Sequence, residues 1–129
     1  MLDEILQALI GMAMLTSPYS QIVIGSDPPI NGICMVSTGS PRSTFRNMDT
    51  DWTLSVLLNG KNASQQAVSE ALNAIHRFMT LRKDFPHGNG WQVYAITTQA
   101  SPRLIGREQN NQWIYGSSLQ VKFYAKGID

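Results

Sequence analysis

Residues 51–82, DWTLSVLLNGKNASQQAVSEALNAIHRFMTLR, decide the fold because they join a regularly alternating strand to an amphipathic helix. Large apolar side chains occupy every second position of residues 51–59, which predicts a strand with one buried face. That face comprises Trp52, Leu54, Val56 and Leu58. Gly60-Lys61 is predicted to turn the chain, and Asn62 is predicted to cap the next helix, with Gln65 completing a capping box.

The helix that follows carries its apolar residues on one stripe and extends over roughly 20 residues, or about 30 Å. The stripe comprises Val68, Ala71, Leu72, Ile75, Phe78, Met79 and Arg82. Full burial of a large apolar side chain is worth about 1.5–3 kcal/mol, so we expect a sheet or another helix to cover this stripe. Pro86 and the Gly88-Asn89-Gly90 turn are expected to end the helix.

Outside this segment, the pattern predicts one more helix and four more strands. Apolar residues from Leu2 to Met14 recur at helical spacing, and Thr16-Ser17-Pro18 is expected to stop that helix. Strands are predicted at residues 21–25, 33–38, 91–98 and 113–125. Ser101-Pro102 is expected to break the strand before it, and Gly116 to mark a bulge. Residues 39–50 show no sustained period and are predicted to form a loop.

This order of elements predicts a single α+β domain over residues 1–129. We expect two layers: a mixed, mostly antiparallel sheet of four to five strands, with two helices packed on one face. The helices are expected to cover the sheet face bearing Trp52, Leu54, Val93 and Val121. The opposite face would then carry Leu57, Tyr94, Ile96 and Tyr124.

Composition narrows the class of function. The formal net charge is +1, which argues against a general nucleic-acid binder. Charged residues make up 15% of the chain, against roughly 25% in an average domain, and charge is depleted in interface cores. The single cysteine, Cys34, excludes an internal disulfide and a cysteine-rich zinc site. Because the first helix opens with Asp3 and Glu4 and is too short to cross a bilayer, we expect a soluble, intracellular protein or a part of an assembly built inside a cell.

Motifs that carry chemistry are absent from the sequence: there is no nucleophile elbow, phosphate loop, dinucleotide fingerprint or zinc-binding helix. Asp49 and Asp51 are best explained as a solvated loop end, and His76 as a boundary side chain at the edge of the apolar stripe. His87 is predicted in a loop, and Cys34 as a small buried hydrophobe. We therefore expect no catalytic residue, no cofactor and no metal site, and an enzyme is disfavoured.

Two groups of residues are candidates for contact with a partner. Arg42, Phe45 and Arg46 lie in the predicted loop, where arginine and aromatic side chains suit a binding hot spot, although an ordinary solvated loop has the same composition. The second group is the apolar set on the uncovered sheet face, which is either a surface for another subunit or incidental. It comprises Leu57, Tyr94, Ile96 and Tyr124.

The last third of the chain resembles the C-terminal hairpin of tailed-phage minor capsid proteins of the tail-terminator type. The similar residues are Leu104-Ile105-Gly106-Arg107-Glu108, a short polar turn, and residues 113–124, WIYGSSLQVKFY. The strand ending in residues 57–62, LLNGKN, the helix opening with residues 64–67, SQQA, and the apolar first helix also resemble that family. The similarity covers most of the chain in order and size, through strand and turn patterns that include no catalytic signature.

The resemblance implies a structural virion protein, assembled in the host cytoplasm, with no cofactor. Such proteins form a hexameric ring at the head-proximal end of the tail tube, where they stop polymerisation and contact the neck proteins. The implied partners are other copies of the chain, the tube protein and a stopper, with no membrane and no specific nucleic-acid binding. Two alternatives remain: another neck component such as a stopper or adaptor, and a small ligand-binding or enzymatic α+β domain.

Overall fold

The computed structural model describes residues 2–43, 51–88 and 90–125, which form a curled six-stranded sheet and two helices. The helices are α1 (Leu2–Ala13), followed by a 3-10 turn at Met14–Thr16, and α2 (Gln65–Leu81). The strands are β1 (Ile22–Ile24), β2 (Ile33–Ser43), β3 (Asp51–Asn62), β4 (His87–Gly88), β5 (Trp91–Arg107) and β6 (Trp113–Ala125). The predicted α+β class is confirmed, whereas the predicted count of four to five strands is wrong.

The strands lie in the order β1-β2-β3-β6-β5-β4, and the sheet is mixed. All neighbours are antiparallel except β1 and β2, which are parallel. Helix α2 connects β3 to β4 at the far edge of the sheet. Strand β5 pairs beside β4, and β6 then lies between β5 and β3. Within the described residues, α2 is therefore a helical crossover between β3 and the β4–β5 end of the sheet.

The strand missing from the prediction is β4, a two-residue edge strand in what was predicted to be a loop. His87 pairs with Gln92, and Gly88 pairs with Trp91. A Cβ atom on Gly88 would lie 2.4 Å from Nε1 of Trp91, so only glycine lets the backbone approach the indole this closely. Such a short pairing leaves no periodicity in the sequence from which it could be predicted.

Strand β5 continues through Ser101-Pro102 instead of breaking there. It has 17 residues against 13 in β6, and four register shifts each place one extra residue in β5. Extra residues of this kind bend and twist a strand, which curls the sheet. The bulge predicted at Gly116 therefore lies in the opposite strand, between Ala100 and Arg103. Pro102 is tolerated because the outer edge of β5 has no pairing partner there among the described residues.

Strands β2 and β3 are both longer than predicted. Strand β2 extends through residues 39–43, at the start of the predicted loop, because it pairs with the beginning of β3. Strand β3 continues through Gly60-Lys61 to pair with β6, so the chain does not turn there.

The limits of α2 also differ from the prediction. The residue that caps its N-terminus is Ser64, not Asn62, since the Ser64 hydroxyl accepts a hydrogen bond from the Ala67 amide at 3.2 Å. The Asn62 side chain instead accepts a hydrogen bond from the Ser64 amide at 2.8 Å. The helix ends after 17 residues, where Arg82 adopts extended backbone, four residues before Pro86.

The hydrophobic core lies between one face of the sheet and both helices. The core residues of α2 are Val68, Leu72, Ile75 and Met79, and those of α1 are Ile5, Leu6, Leu9, Ile10, Met12 and Ala13. The sheet contributes Leu54, Val93 and Val121 from the predicted covered face, and Trp52 packs at its margin. No helix of the described residues covers the opposite face of the sheet, which is called the open face below.

Candidate interaction surface

The open face is polar but carries little charge. Its side chains alternate along the strands with those of the core. They include Val36, Thr38, Asp51, Thr53, Ser55, Leu57, Asn59, Tyr94, Thr97, Arg103, Ser118, Gln120, Lys122 and Tyr124. Asp51, Arg103 and Lys122 of this set are charged, and Lys61 lies on the same side of β3 in an ion pair with Glu108, so few charges are exposed on the described part of this surface.

Two tyrosines and an aspartate form a cluster on the open face. The rings of Tyr94 and Tyr124 stack with centroids 4.3 Å apart at 24°. The Tyr94 hydroxyl donates a hydrogen bond to Oδ1 of Asp51 at 2.5 Å. Burial, followed by the hydrogen bond and charge of Asp51, raises the pKa of Tyr94 to about 12. The cluster thus orders aromatic surface, and Tyr124 remains 47% exposed.

The structure brings three of the four predicted open-face residues to that face. Leu57 is half-buried between Val36 and Ser118, away from the tyrosine pair along the strand. The prediction for Ile96 is wrong, because this residue is 3% exposed and belongs to the core. The register shift between Val93 and Ala95 reverses the alternation, so Val93 and Ile96 both face inward.

The second predicted contact group falls largely outside the described residues. Phe45 and Arg46 lie there, as does Asp49. Arg42 pairs with Thr53 at the end of β2, and the structure describes its backbone alone. These three partner-contact residues therefore stay predictions.

Both ends of the sheet expose long stretches of backbone without strand partners among the described residues. Strand β1 pairs only with Ile33, Cys34 and Met35, which leaves the outer edge of residues 36–43 open. Strand β4 pairs only with Trp91 and Gln92, which leaves residues 94–107 open on the other side. Unpaired edges of this length are templates for another strand, unless bulges or prolines disrupt them.

An ion pair lies at one end of the open face, between a buried lysine and a partly exposed glutamate. Lys61 is 6% exposed, and its Nζ lies 2.7 Å from Oε1 of Glu108 in the β5–β6 turn. The Lys61 amide donates to the Gly32 carbonyl at 2.9 Å. The Tyr19 hydroxyl lies 2.9 Å from the Lys61 carbonyl and 3.0 Å from the Gly32 carbonyl. Burial raises the pKa of Tyr19 to about 12, so this phenol remains a hydrogen-bond donor.

Asn31 and Gln112 connect three segments at this end of the sheet: the segment before β2, the link between β3 and α2, and the β5–β6 turn. The Asn31 amide donates to Oε1 of Gln112 at 2.8 Å, and Oδ1 of Asn31 accepts from the Ala63 amide at 3.1 Å. Asn31 adopts a left-handed φ of 51°, which asparagine tolerates better than most residues. Nothing in the local sequence around Asn31 indicates this contact with Gln112, which lies 81 positions further along the chain.

A buried histidine joins α2 to the sheet. His76 is 5% exposed; its Nδ1 lies 3.0 Å from the Thr98 hydroxyl and its Nε2 lies 2.8 Å from the Ser117 hydroxyl. The Ser117 hydroxyl donates to the Leu58 carbonyl at 2.6 Å, which leaves its oxygen to accept from Nε2 of His76. A neutral imidazole protonated on Nε2 satisfies this network, and burial lowers the pKa of His76 to about 4.

The predicted boundary position of His76 is therefore wrong, although its spacing from Leu72 indicates an inward orientation. His76 follows Leu72 by four positions, which places it on the inward side of the helix. Its hydroxyl partners lie 22 and 41 positions further along the chain, and sequence periodicity does not reveal them.

The contact between His76 and Ser117 raises the question of a serine nucleophile. An activated serine donates its proton to the base, whereas Ser117 directs its proton to the Leu58 carbonyl. Ser117 is also 5% exposed, so a substrate carbonyl has no path to its oxygen in this conformation. The geometry is that of a structural bridge between α2, β3, β5 and β6.

The remaining titratable groups offer little further chemistry in the described part of the chain. Burial raises the pKa of the Cys34 thiol to about 11, which keeps it protonated. Residues 2–43, 51–88 and 90–125 contain no cluster of three metal-ligating side chains. No helix in these ranges is long and apolar enough to span a membrane.

Comparison with known proteins adds no relative to this description: neither the protein-family models nor the curated proteins contain a match to this chain.

Proposed function

We propose that this chain is a structural assembly protein, a ring-forming tail terminator at the head-proximal end of a phage tail tube. The observation that carries the proposal is the combination of an uncovered, nearly uncharged sheet face with two open sheet edges. The terminator identity itself rests on the resemblance of residues 57–67 and 104–124 to that family.

The two open edges suit a head-to-tail ring. A closed cyclic assembly of identical subunits uses two different patches on each subunit, one facing each neighbour. Residues 36–43 and residues 94–107 lie near opposite ends of the sheet order, so the edge of one subunit can face the other edge of the next. The bulges and Pro102 in β5 restrict which strands fit there, which opposes uncontrolled polymerisation.

The open face suits contact with the tube or the neck. Side chains such as Ser55, Thr97 and Gln120 can form hydrogen bonds to a partner protein without the desolvation cost of a full charge. The stacked Tyr94 and Tyr124 add preordered aromatic surface, of the kind enriched at interface hot spots. The proposed partners are therefore a second copy of the chain, the tube protein and a neck protein.

Electron microscopy of assembled particles tests this proposal. A label fused to Asp129 is expected at the head-proximal tip of the tail, and native mass spectrometry of the labelled tip complex gives the ring stoichiometry. Label along the whole tube would identify a tube protein instead. Label at the portal side of the neck would favour a stopper or adaptor, and its absence from every particle would favour the small ligand-binding domain.

A further inference from the structure

The outer surface of the helical layer carries an apolar groove where the C-terminal ends of α1 and α2 meet. It consists of two adjoining depressions with volumes of about 390 Å³ and 470 Å³, and Arg82 lines both. The first is lined also by Gly11, Met12, Leu15, Asp84, Phe85, Pro86 and His87, and the second by Thr16, Ala74, Arg77, Phe78 and Leu81. This groove lies on the helices, on the other side of the sheet from the open face.

Large apolar side chains in the groove remain accessible to water. Leu15 is 64% exposed and Leu81 is 73% exposed, which are high values for leucine in the described part of the chain. Phe78 and Phe85 are half-buried against the core and contribute apolar lining. Because removing apolar surface from water is favourable, a partner that covers Leu15 and Leu81 gains binding energy there.

The charge around this groove is basic. Arg77 and Arg82 line it, and Asp84 is the acidic residue in the lining. The ion pair found among the described side chains joins Lys61 to Glu108, so neither arginine is engaged by a carboxylate in those residues. The Arg82 guanidinium instead lies over the Phe78 ring, 4.8 Å from its centroid. Two arginines beside exposed leucines complement a segment that carries carboxylates beside large apolar residues.

We propose that this groove docks an acidic amphipathic helix of a partner protein. The two depressions share Arg82 and offer places for two apolar side chains from one face of a helix, as in other helix-in-groove interactions. Docking of the groove onto the same groove of a second copy is disfavoured, since it would bring Arg77 and Arg82 close to their own equivalents. This proposal is independent of the terminator assignment, because it rests on the helical layer alone.

A charge-swap experiment with defined peptides tests the docking proposal. The probe is a fluorescein-labelled helical peptide about four turns long, with leucine at positions i, i+3, i+4 and i+7 and glutamate on the flanks. A matched peptide carries lysine in place of glutamate. Fluorescence anisotropy is expected to show saturable binding of the glutamate peptide to the full chain, at least about tenfold tighter than the lysine peptide.

Three variants locate the binding. Leu81→Asp is expected to weaken binding of the glutamate peptide at least about tenfold. The double variant Arg77→Glu with Arg82→Glu is expected to bind the lysine peptide more tightly than the glutamate peptide. Ile30→Asp is the matched control, because Ile30 is 66% exposed and lies outside the groove. Circular dichroism and the thermal midpoint establish that each variant is folded.

Several results would overturn the proposal. These are no saturable binding of either peptide, equal binding of the two peptides, or equal loss in Leu81→Asp and Ile30→Asp. A concentration-dependent dimer in sedimentation, lost in Leu81→Asp, would assign the groove to a second copy of the chain. Binding to phosphatidylglycerol-containing vesicles without binding to the glutamate peptide would assign it to a membrane surface.

Discussion

The two faces of the sheet use residues of one strand for opposite purposes. Phe123 is fully buried in the core, whereas its neighbour Tyr124 is 47% exposed and stacks on Tyr94. The same contrast separates Leu58 in the core from half-buried Leu57 on the open face. We infer that the stability of the fold depends mainly on the covered face. The side chains of the open face are therefore available for contacts with other molecules.

The largest expected effect comes from removing a core ring on one side of this comparison. Phe123→Ala is expected to lower the free energy of unfolding by about 3–5 kcal/mol, because it leaves a cavity among α2 and the sheet. Tyr124→Ala is the matched control on the adjacent residue, and we expect it to cost about 1 kcal/mol through the lost stacking. Chemical denaturation measures both; equal losses would contradict the division between the two faces.

The next effect tests the bulge that assigns Ile96 to the core. Ile96→Ala is expected to destabilise the protein by about 2–5 kcal/mol, as for other buried isoleucines. Thr97→Ala, at an exposed neighbouring position, is expected to change the free energy of unfolding by less than about 0.5 kcal/mol. If the Ile96 variant were as stable as the Thr97 variant, Ile96 would lie on the open face, as the regular alternation of the strand predicts.

The buried histidine makes the covered face sensitive to acid. The pKa of His76 lies near 4 in the folded chain and near 6.5 in an unfolded one, so the unfolded state binds the proton more readily between these values. The neutral His76 contributes at most about 3 kcal/mol to the free energy of unfolding. This contribution is present above pH 6.5 and is lost as the pH falls towards 4. His76→Gln is expected to flatten the pH dependence of the thermal midpoint over this range, and a dependence equal to that of the unmodified chain would contradict the assignment.

Lys61 qualifies the comparison, because it is a buried charge on the open side of β3. Glu108→Ala is expected to cost about 1–3 kcal/mol, since it leaves the buried ammonium without its carboxylate. Lys61→Met removes the buried charge and keeps the apolar stem, so its cost is expected to be smaller. Urea titration of both variants checks this order, and a greater loss in Lys61→Met would refute it.

The smallest effect on stability is expected where the effect on assembly is large. Arg42→Ala and Phe45→Ala are expected to shift the thermal midpoint of the monomer very little and to weaken association with tubes or rings. Co-sedimentation with purified tubes measures association, and Gln109→Ala in the exposed β5–β6 turn is a control for surface substitution. Unaltered association in both variants would remove residues 39–50 from the proposed interface.

Local patterns predict the middle of each long element more accurately than its ends. The alternation of Leu54, Val56 and Leu58 and the stripe of α2 suffice to orient β3 and α2, and the structure confirms both orientations. The ends depend on pairing with distant strands, as where Gly60 and Lys61 continue β3 because β6 lies beside them. For the same reason Ser64 caps α2 two residues beyond the predicted Asn62.

The candidate surface was only partly predictable. Tyr94 and Tyr124 were predicted on one face from the alternation of their strands, but their stacking and the hydrogen bond to Asp51 require three strands to meet. Ile96 was misassigned because a bulge changes the side-chain period without any change in composition. The helical groove was missed altogether, since Leu15 and Leu81 come from segments that meet only after folding.

The amino-acid sequence by itself determined the α+β class, the order of the two helices and of five of the six strands, and the inward faces of β3, α2 and β6, because hydrophobic periodicity is a local property. Tertiary structure decided the six-strand sheet, the curl of β5, and the burial of His76 and Lys61. It also decided which apolar side chains remain exposed at the two candidate surfaces. The physical reason is that register, bulges and buried polar pairs depend on partners tens of residues away, and no local pattern records those partners.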